Sequence, residues 1–192
     1  MKIGVLAAQG AFAEHISILS RQGVDALPVR LPREIAGVDG LIIPGGESTA
    51  ISRLMGEDKL ERRIGELAKK GLPVWGTCAG MILLAKGVNG VSPAPLGLMD
   101  IVVRRNAFGR QRESFETTLA VPVLGDPPFP AVFIRAPVIA QANGSVEVLA
   151  RLPDGTIVAV RQGKLLATAF HPELTDDFRF HRYFLDMVAG KH

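Results

Sequence analysis

Residues 71–81 read Gly71-Leu72-Pro73-Val74-Trp75-Gly76-Thr77-Cys78-Ala79-Gly80-Met81. The apolar run 72–75 predicts a buried strand, and residues 81–84 predict a helix packed inside the fold. Between them Gly76 and Gly80 bracket Cys78, which is the nucleophile-elbow pattern G-x-S-x-G with Cys in place of Ser. Such a turn lifts the side chain above the sheet edge and aims it at the first amides of the following helix. Those N–H groups favour a thiolate and can hold an oxyanion. Cys78 is also the single cysteine of the chain, which rules out an internal disulfide and a cysteine-cluster metal site.

Working outward, residues 2–8 form a continuous apolar run of the kind found in parallel sheets covered on both faces. A helix is expected over 11–22, with Phe12, Ile16 and Leu19 on its apolar stripe. Strands are expected at 24–30 and 40–43. The second of these ends in Pro44-Gly45-Gly46-Glu47-Ser48-Thr49, where a further helix begins. Residues 57–70 predict a helix burying Leu60, Ile64 and Leu67. Its charges are spaced to pair along a solvated face, Asp58 with Arg62 and Glu66 with Lys70. This order of elements is the signature of an open α/β sheet, in which ligands bind beyond the carboxyl ends of the strands. Gln9, the Gly45-Gly46 turn and Cys78 all fall at such ends and are expected around one cleft.

The second half changes character. Residues 93–97 predict a loop, and strands are expected at 100–104, 114–121, 131–135, 146–152, 156–161 and 165–170. Asp154-Gly155 and Gln162-Gly163 mark tight turns that make the last three antiparallel. A final helix over about 176–188 should turn Phe180, Phe184 and Met187 inward. No repeat or linker interrupts the pattern, so residues 1–192 are expected as a single domain: an open, mostly parallel sheet flanked by helices, with antiparallel hairpins in the second half.

Composition narrows the classes of function. Hydrophobic residues are 47% and charged residues 21% of the chain, as in a globular protein with a full core. The net charge of +3 is carried by Lys and Arg scattered among acids, without the basic clusters of a nucleic-acid face. No apolar stretch is long enough to span a bilayer, and no signal or transit pattern opens the sequence, so a cytoplasmic location is expected.

A nucleophilic cysteine needs a nearby proton acceptor, itself oriented by a third group. Of the four histidines, His15 is expected on the exposed side of the first helix, His181 among the aromatics of the last helix, and His192 is terminal. His171 is different. It follows a strand end and heads His171-Pro172-Glu173, where Pro172 disfavours helix for the residue before it. In an extended chain residues 171 and 173 point to the same side, so the carboxylate can fix the imidazole. Cys78, His171 and Glu173 are therefore the expected nucleophile, general acid/base and orienter. The spacing of His171, Glu173, Asp176, Asp177 and His181 matches no zinc template, and neither metal nor other cofactor is expected. Arg135 sits beside the apolar run 132–134, where an unpaired charge would be costly, so it is expected to meet a substrate or an acid. The amide of Ala79 and the Gly45-Gly46 turn are candidate oxyanion donors.

With these residues assembled, the chain resembles the class I glutamine amidotransferases and, more narrowly, the glutaminase subunits of pyridoxal 5′-phosphate synthases. The resemblance rests on Ala8-Gln9-Gly10-Ala11-Phe12 with Glu14-His15, on 41–49 ending Pro44-Gly45-Gly46-Glu47-Ser48-Thr49, and on the elbow 76–81. It continues through Arg105-Asn106, Phe108-Gly109-Arg110-Gln111, Phe133-Ile134-Arg135-Ala136-Pro137 and Phe170-His171-Pro172-Glu173-Leu174-Thr175. It implies hydrolysis of L-glutamine to glutamate and ammonia, with Gly46, Glu47, Ser48, Arg105, Ile134 and Arg135 around the substrate and Gly46 with Ala79 as oxyanion hole. It also implies a partner synthase subunit, which combines the ammonia with ribose 5-phosphate and glyceraldehyde 3-phosphate. Free ammonia is protonated in bulk water, so the partner should dock over the cleft. Gln9 and His15, on the first β-to-α turn and helix, are expected at that interface. Two other readings remain: a cysteine hydrolase of γ-glutamyl conjugates on the same fold, and a non-catalytic partner-binding subunit.

Overall fold

The computed structural model describes residues 1–57, 59–89, 94–108 and 114–191. The expected Asp58–Arg62 pair, the start of the 93–97 loop, Gly109-Arg110-Gln111 and His192 lie outside the described residues.

Among the described residues, ten strands form one sheet in the order β2-β1-β3-β4-β12-β11-β9-β6-β5, with β10 paired to β11 beside this path. The strands are β1 (Lys2–Leu6), β2 (Asp25–Val29), β3 (Gly40–Ile43), β4 (Val74–Thr77), β5 (Ala85–Asn89) and β6 (Met99–Arg104), then β9 (Val138–Ala142), β10 (Glu147–Arg151), β11 (Ile157–Gln162) and β12 (Leu165–Thr168). A separate two-stranded ribbon pairs β7 (Ser114–Leu119) with β8 (Phe129–Ile134). From β2 to β12 the sheet is parallel. Beyond β12 it turns antiparallel, apart from the parallel pair β5 and β6. The fold is therefore α/β with an antiparallel extension, as the sequence predicts.

Among the described residues five α-helices accompany the sheet: α1 (Phe12–Arg21), α2 (Ser48–Glu57), α3 (Leu60–Lys69), α4 (Ala79–Leu84) and α5 (Arg179–Val188). The β3 and β4 strands are buried at every position and consist of apolar or small residues and Thr77, which is what a strand covered on both faces requires. Trp75 lies at their centre, with its indole N–H donating to Thr168 Oγ1 at 3.2 Å and its ring against Phe180 and Phe184 of α5.

Several boundaries and faces depart from the sequence reading. Two strands, β5 and β9, were not expected. β5 begins directly after α4 and carries Lys86 and Gly87, so it lacks a recognisable strand pattern. The buried face of α1 is His15, Ile18 and Leu19, while Phe12 and Ile16 are half-buried against the core. The stripe is rotated because α1 packs His15 inward. On the solvated face of α3, Glu66 pairs with Arg62 at 2.9 Å, and Arg63 lies 3.6 Å away.

The elbow is held from both sides. Cys78 N–H donates to Thr168 O of β12 at 2.8 Å, and Cys78 adopts φ 49° and ψ −104°, a conformation that costs a non-glycine residue about 1–3 kcal/mol. Gly80 carries α4 so close to β3 that a Cβ there would collide with the Ile43 carbonyl oxygen. Gly80→Ala is expected to destabilise the fold by about 3 kcal/mol, at the upper end of overpacking costs, because backbone rather than a pliant side chain must move. Urea denaturation measures this, and a loss below about 0.5 kcal/mol would contradict the packing described.

Candidate active site

The carboxyl ends of β3, β4 and β12 are adjacent, and each delivers one part of the site. The β4 end delivers Cys78, the β12 end runs through Ala169-Phe170 to His171, and the β3 end runs into Gly45-Gly46. His171 is fixed by its own backbone N–H, which donates to Val132 O of β8 at 2.8 Å. The β7–β8 ribbon thus braces the histidine, and its end brings Ile134 O to 3.9 Å from Cys78 Sγ.

His171 Nδ1 lies 2.6 Å from Glu173 Oε1, and the two side chains are 9% and 0% exposed. The carboxylate accepts, so Nδ1 carries the proton, and the Nε2 edge is left for Cys78, with which His171 shares the cleft. The pairing arises differently from the sequence expectation. Residues Pro172–Leu174 form one 3-10 turn rather than an extended segment, and that turn folds Glu173 back onto the imidazole.

Charge dominates this cluster. Burial works to lower the His171 pKa, but hydrogen bonds and charge from Cys78 and Glu173 outweigh it and raise the value to about 10. For Glu173, burial works to raise the pKa. The electrostatic influence and hydrogen bonding of His15, foremost, and of His171 overcome it and hold the carboxyl well below the usual range. The arrangement is a buried imidazolium stabilised on one side by sulfur and on the other by a carboxylate.

Cys78 and His171 open onto a cleft of about 440 Å³. Every residue expected around the substrate lines it: Gly46, Glu47, Ser48, Arg105, Ile134 and Arg135, together with Ala79. The Ser48 hydroxyl oxygen is buried there without a hydrogen-bond partner among the described residues. Arg105 Nη2 is 3.6 Å from Glu47 Oε1. Glu47 also accepts from the N–H groups of Thr49 and Ala50, at 3.0 and 2.7 Å, and so caps α2. Those backbone bonds, the Thr49 one foremost, lower its pKa. Arg135 corrects an expectation: it is exposed at φ 44°, so burial is not what calls for a counter-charge. Ile82, Asn106 and Pro137 also line the cleft and were not singled out. Ile82 had a signal, since it sits one helical turn after Cys78 and its N–H reaches back to Cys78 O.

The glycine turn is built around contacts from two directions. Gly45 N–H donates to Thr77 Oγ1 at 3.0 Å, and Gly45 O accepts from Ala11 N at 3.1 Å. A Cβ on Gly45 would strike the His171 ring, and one on Gly10, at φ 99°, would strike the Gly45 carbonyl. Both positions therefore require glycine. Ala79 opens α4, so its N–H lies outside the helix's own hydrogen-bond ladder.

Gln9 is exposed and its Oε1 accepts from Glu47 N–H at 2.7 Å, tying the β1 end to the glycine turn, although Gln9 itself does not line the cleft. His15 is not exposed at all, which corrects its expected place at an interface. It points into the core because Glu173, Thr77 and His181 there supply the polar neighbours an imidazole needs. His181 is buried beside Trp75, as expected of a packing residue, and burial foremost pushes its pKa well down. Among the described residues no three His, Cys, Asp or Glu side chains converge as metal ligands, and no helix is long and apolar enough to cross a membrane.

Residues 5–190 match the SNO glutamine amidotransferase family. A relative from Dehalococcoides mccartyi named pyridoxal 5′-phosphate synthase subunit PdxT is 58% identical over 98% of this chain and 97% of its own. One of the same name from Herpetosiphon aurantiacus is 60% identical over 97% of this chain and all of its own. A crystal structure of glutamine amidotransferase superposes with a TM-score of 0.92 at 50% identity, over 97% of this chain and 98% of that one. The structure of PurLQS from Thermotoga maritima, 16% identical with a TM-score of 0.70 over 96% of this chain and 97% of that one, shares the fold. The chain belongs to the SNO glutamine amidotransferase family.

Proposed function

We propose that this chain is the glutaminase subunit of a pyridoxal 5′-phosphate synthase, with Cys78 as nucleophile, His171 as general acid and base, and Glu173 as its orienter. The observation that carries the reading is the 2.6 Å His171–Glu173 contact beside Cys78, at the floor of a cleft lined by the six residues expected around glutamine.

The Cys78 thiolate attacks the side-chain amide carbon of glutamine, and the amide oxygen becomes an oxyanion. Ala79 N–H and Gly46 N–H are the donors for it, each worth about 3 kcal/mol, or two orders of magnitude in rate. His171 gives its proton to the departing nitrogen, which leaves as ammonia, and a γ-glutamyl thioester remains on Cys78. Water then attacks the thioester with His171 as base, releasing glutamate and restoring the thiolate. The zwitterionic end of glutamine is matched by charge: Arg105 and Arg135 suit its carboxylate, Glu47 its ammonium, and the Ser48 hydroxyl offers a buried hydrogen bond.

The curated relatives are named as synthase subunits, which supports a second subunit that accepts the ammonia. Docking over the cleft keeps ammonia from bulk water. Gln9, exposed and bonded to the turn that offers Gly46, suits a residue that senses the partner and aligns the oxyanion donors.

Two outcomes are expected. In complex with the synthase subunit, Cys78→Ala should abolish product formation from glutamine while leaving formation from added ammonium unchanged. Unchanged activity from glutamine would instead favour a non-catalytic binding subunit, and rapid hydrolysis of γ-glutamyl conjugates with none of glutamine would favour a broader hydrolase.

The second outcome concerns pH. The depressed Glu173 pKa adds stability above its ordinary value near 4.5, and this is lost as pH falls through the lower folded value. The raised His171 pKa adds stability below its ordinary value near 6.5, and this is lost as pH rises toward about 10. Glu173→Gln should therefore cost most between these windows, about 3 kcal/mol near pH 5–6. The difference from wild type should shrink in both acid and alkali, as read from urea midpoints across pH. A pH-independent difference would contradict the charge assignment.

A further inference from the structure

The carboxylate of Glu173 has two oxygens, and the proposed mechanism uses one. Oε1 takes the His171 Nδ1–H, while Oε2 is buried with no aligned hydrogen-bond partner among the described residues. Its near polar neighbour is His15 Nε2 of α1 at 3.3 Å, an ion-pair distance, and the same nitrogen lies 3.4 Å from Thr77 Oγ1. On the far side of the ring, His15 Nδ1 lies 2.9 Å from His181 Nε2 of α5. Trp75 walls the cluster, edge-on to both imidazoles.

The tautomers follow from these contacts. A lone pair on His15 Nε2 would face the Glu173 carboxylate at 3.3 Å in a fully buried site, so Nε2 carries the proton. His15 Nδ1 is then the acceptor, and His181 Nε2–H is the donor to it. His181 Nδ1 is left as a buried bare lone pair, consistent with its lack of a partner among the described residues. The polarity therefore runs one way, from His181 to His15 to Glu173, and meets the proton that His171 donates to the same carboxylate. Thr77 adds a branch, because its Oγ1 also accepts the Gly45 N–H that anchors the glycine turn.

We propose that His15, oriented by His181, is a positioning residue that holds the free oxygen of Glu173 and, through Thr77, steadies the Gly45-Gly46 turn. The inference rests on the reading of Cys78, His171 and Glu173 given above. It assigns His15 a role inside the site rather than at a partner surface.

Two substitutions separate this role from simple packing. In His15→Asn the amide nitrogen reaches only the Nδ1 position, so the N–H that lies beside Glu173 Oε2 and Thr77 Oγ1 is lost. In His15→Gln it reaches the Nε2 position, so the donor is kept. With the synthase subunit present, H15N should lower kcat for glutamine about tenfold or more, as loss of an outer orienting contact does. KM should stay within about twofold, because His15 does not touch the cleft, and H15Q should recover most of kcat. Added to Glu173→Gln, H15N should cost almost nothing further, since residues acting through one group are not additive. Active sites are counted by thiol alkylation so that kcat refers to folded enzyme.

Equal kcat for H15N and H15Q, a change confined to KM, or losses that multiply in the double variant would overturn the proposal. Wild type that releases no ammonia under the same conditions would instead overturn the functional reading itself. A check that needs no variant is the ¹⁵N spectrum of the wild-type histidines. Protonated Nε2 with bare Nδ1 at His15 is expected, and the opposite tautomer would refute the arrangement.

Discussion

The site depends on three neighbouring parallel strands, β3, β4 and β12, ending at one edge of the sheet. Parallel pairing fixes their register, with Ile43 opposite Gly76 and Thr168 opposite Thr77, so the residues just beyond each end are brought side by side. Residues distant in sequence, Gly45, Cys78 and His171, thereby come into contact with little freedom to separate. The strained conformation of Cys78 persists because the strand before it and the helix after it are both buried, and its N–H is bonded to β12. The antiparallel extension is part of the same device, because β8 pins the His171 backbone and forms one wall of the cleft.

Electrostatics then decides what this geometry can do. A carboxylate with a fully buried side chain would ordinarily take up a proton, yet Glu173 is held ionised by imidazoles on either side. One imidazole shares the cleft with the thiol, where the proposed mechanism has it move protons. The other lies deeper, among Trp75 and His181, and is kept from solvent. The charge of His171 and the N–H that His15 turns toward Oε2 offset the desolvation of the carboxylate, and the carboxylate in turn keeps His171 charged beside sulfur. Removing Glu173 or His171 leaves the other with an uncompensated buried charge, so the pair is bound to stability as well as to the proposed chemistry.

Much of this was legible in the sequence. Cys78 was marked by its flanking glycines and His171 by its strand end and the His-Pro-Glu run. The parallel half of the sheet was marked by near-continuous apolar strands. What escaped the reading has physical causes. The interior face of α1 is hidden in the sequence because a histidine counts as polar in a hydrophobic pattern, and nothing local reveals that Glu173, more than 150 residues on, lies beside it. The strand β5 follows a helix without a turn signal and carries few apolar residues, so only its pairing with β6 makes it a strand. Pro172 alone suggests extended chain at 171–173, whereas the closing bond of the Pro172–Leu174 turn, Thr175 N–H to Pro172 O, exists only in the folded turn.

The central claim is that Cys78 carries the glutamyl group between ammonia release and hydrolysis. The most direct measurement is mass spectrometry of the complex, acid-quenched during turnover of isotopically labelled glutamine. The account predicts a labelled γ-glutamyl thioester on the peptide containing Cys78, absent from His171→Ala supplied with the same substrate. Glutamate formed at full rate with no adduct on Cys78, or with the label on another residue, would contradict it.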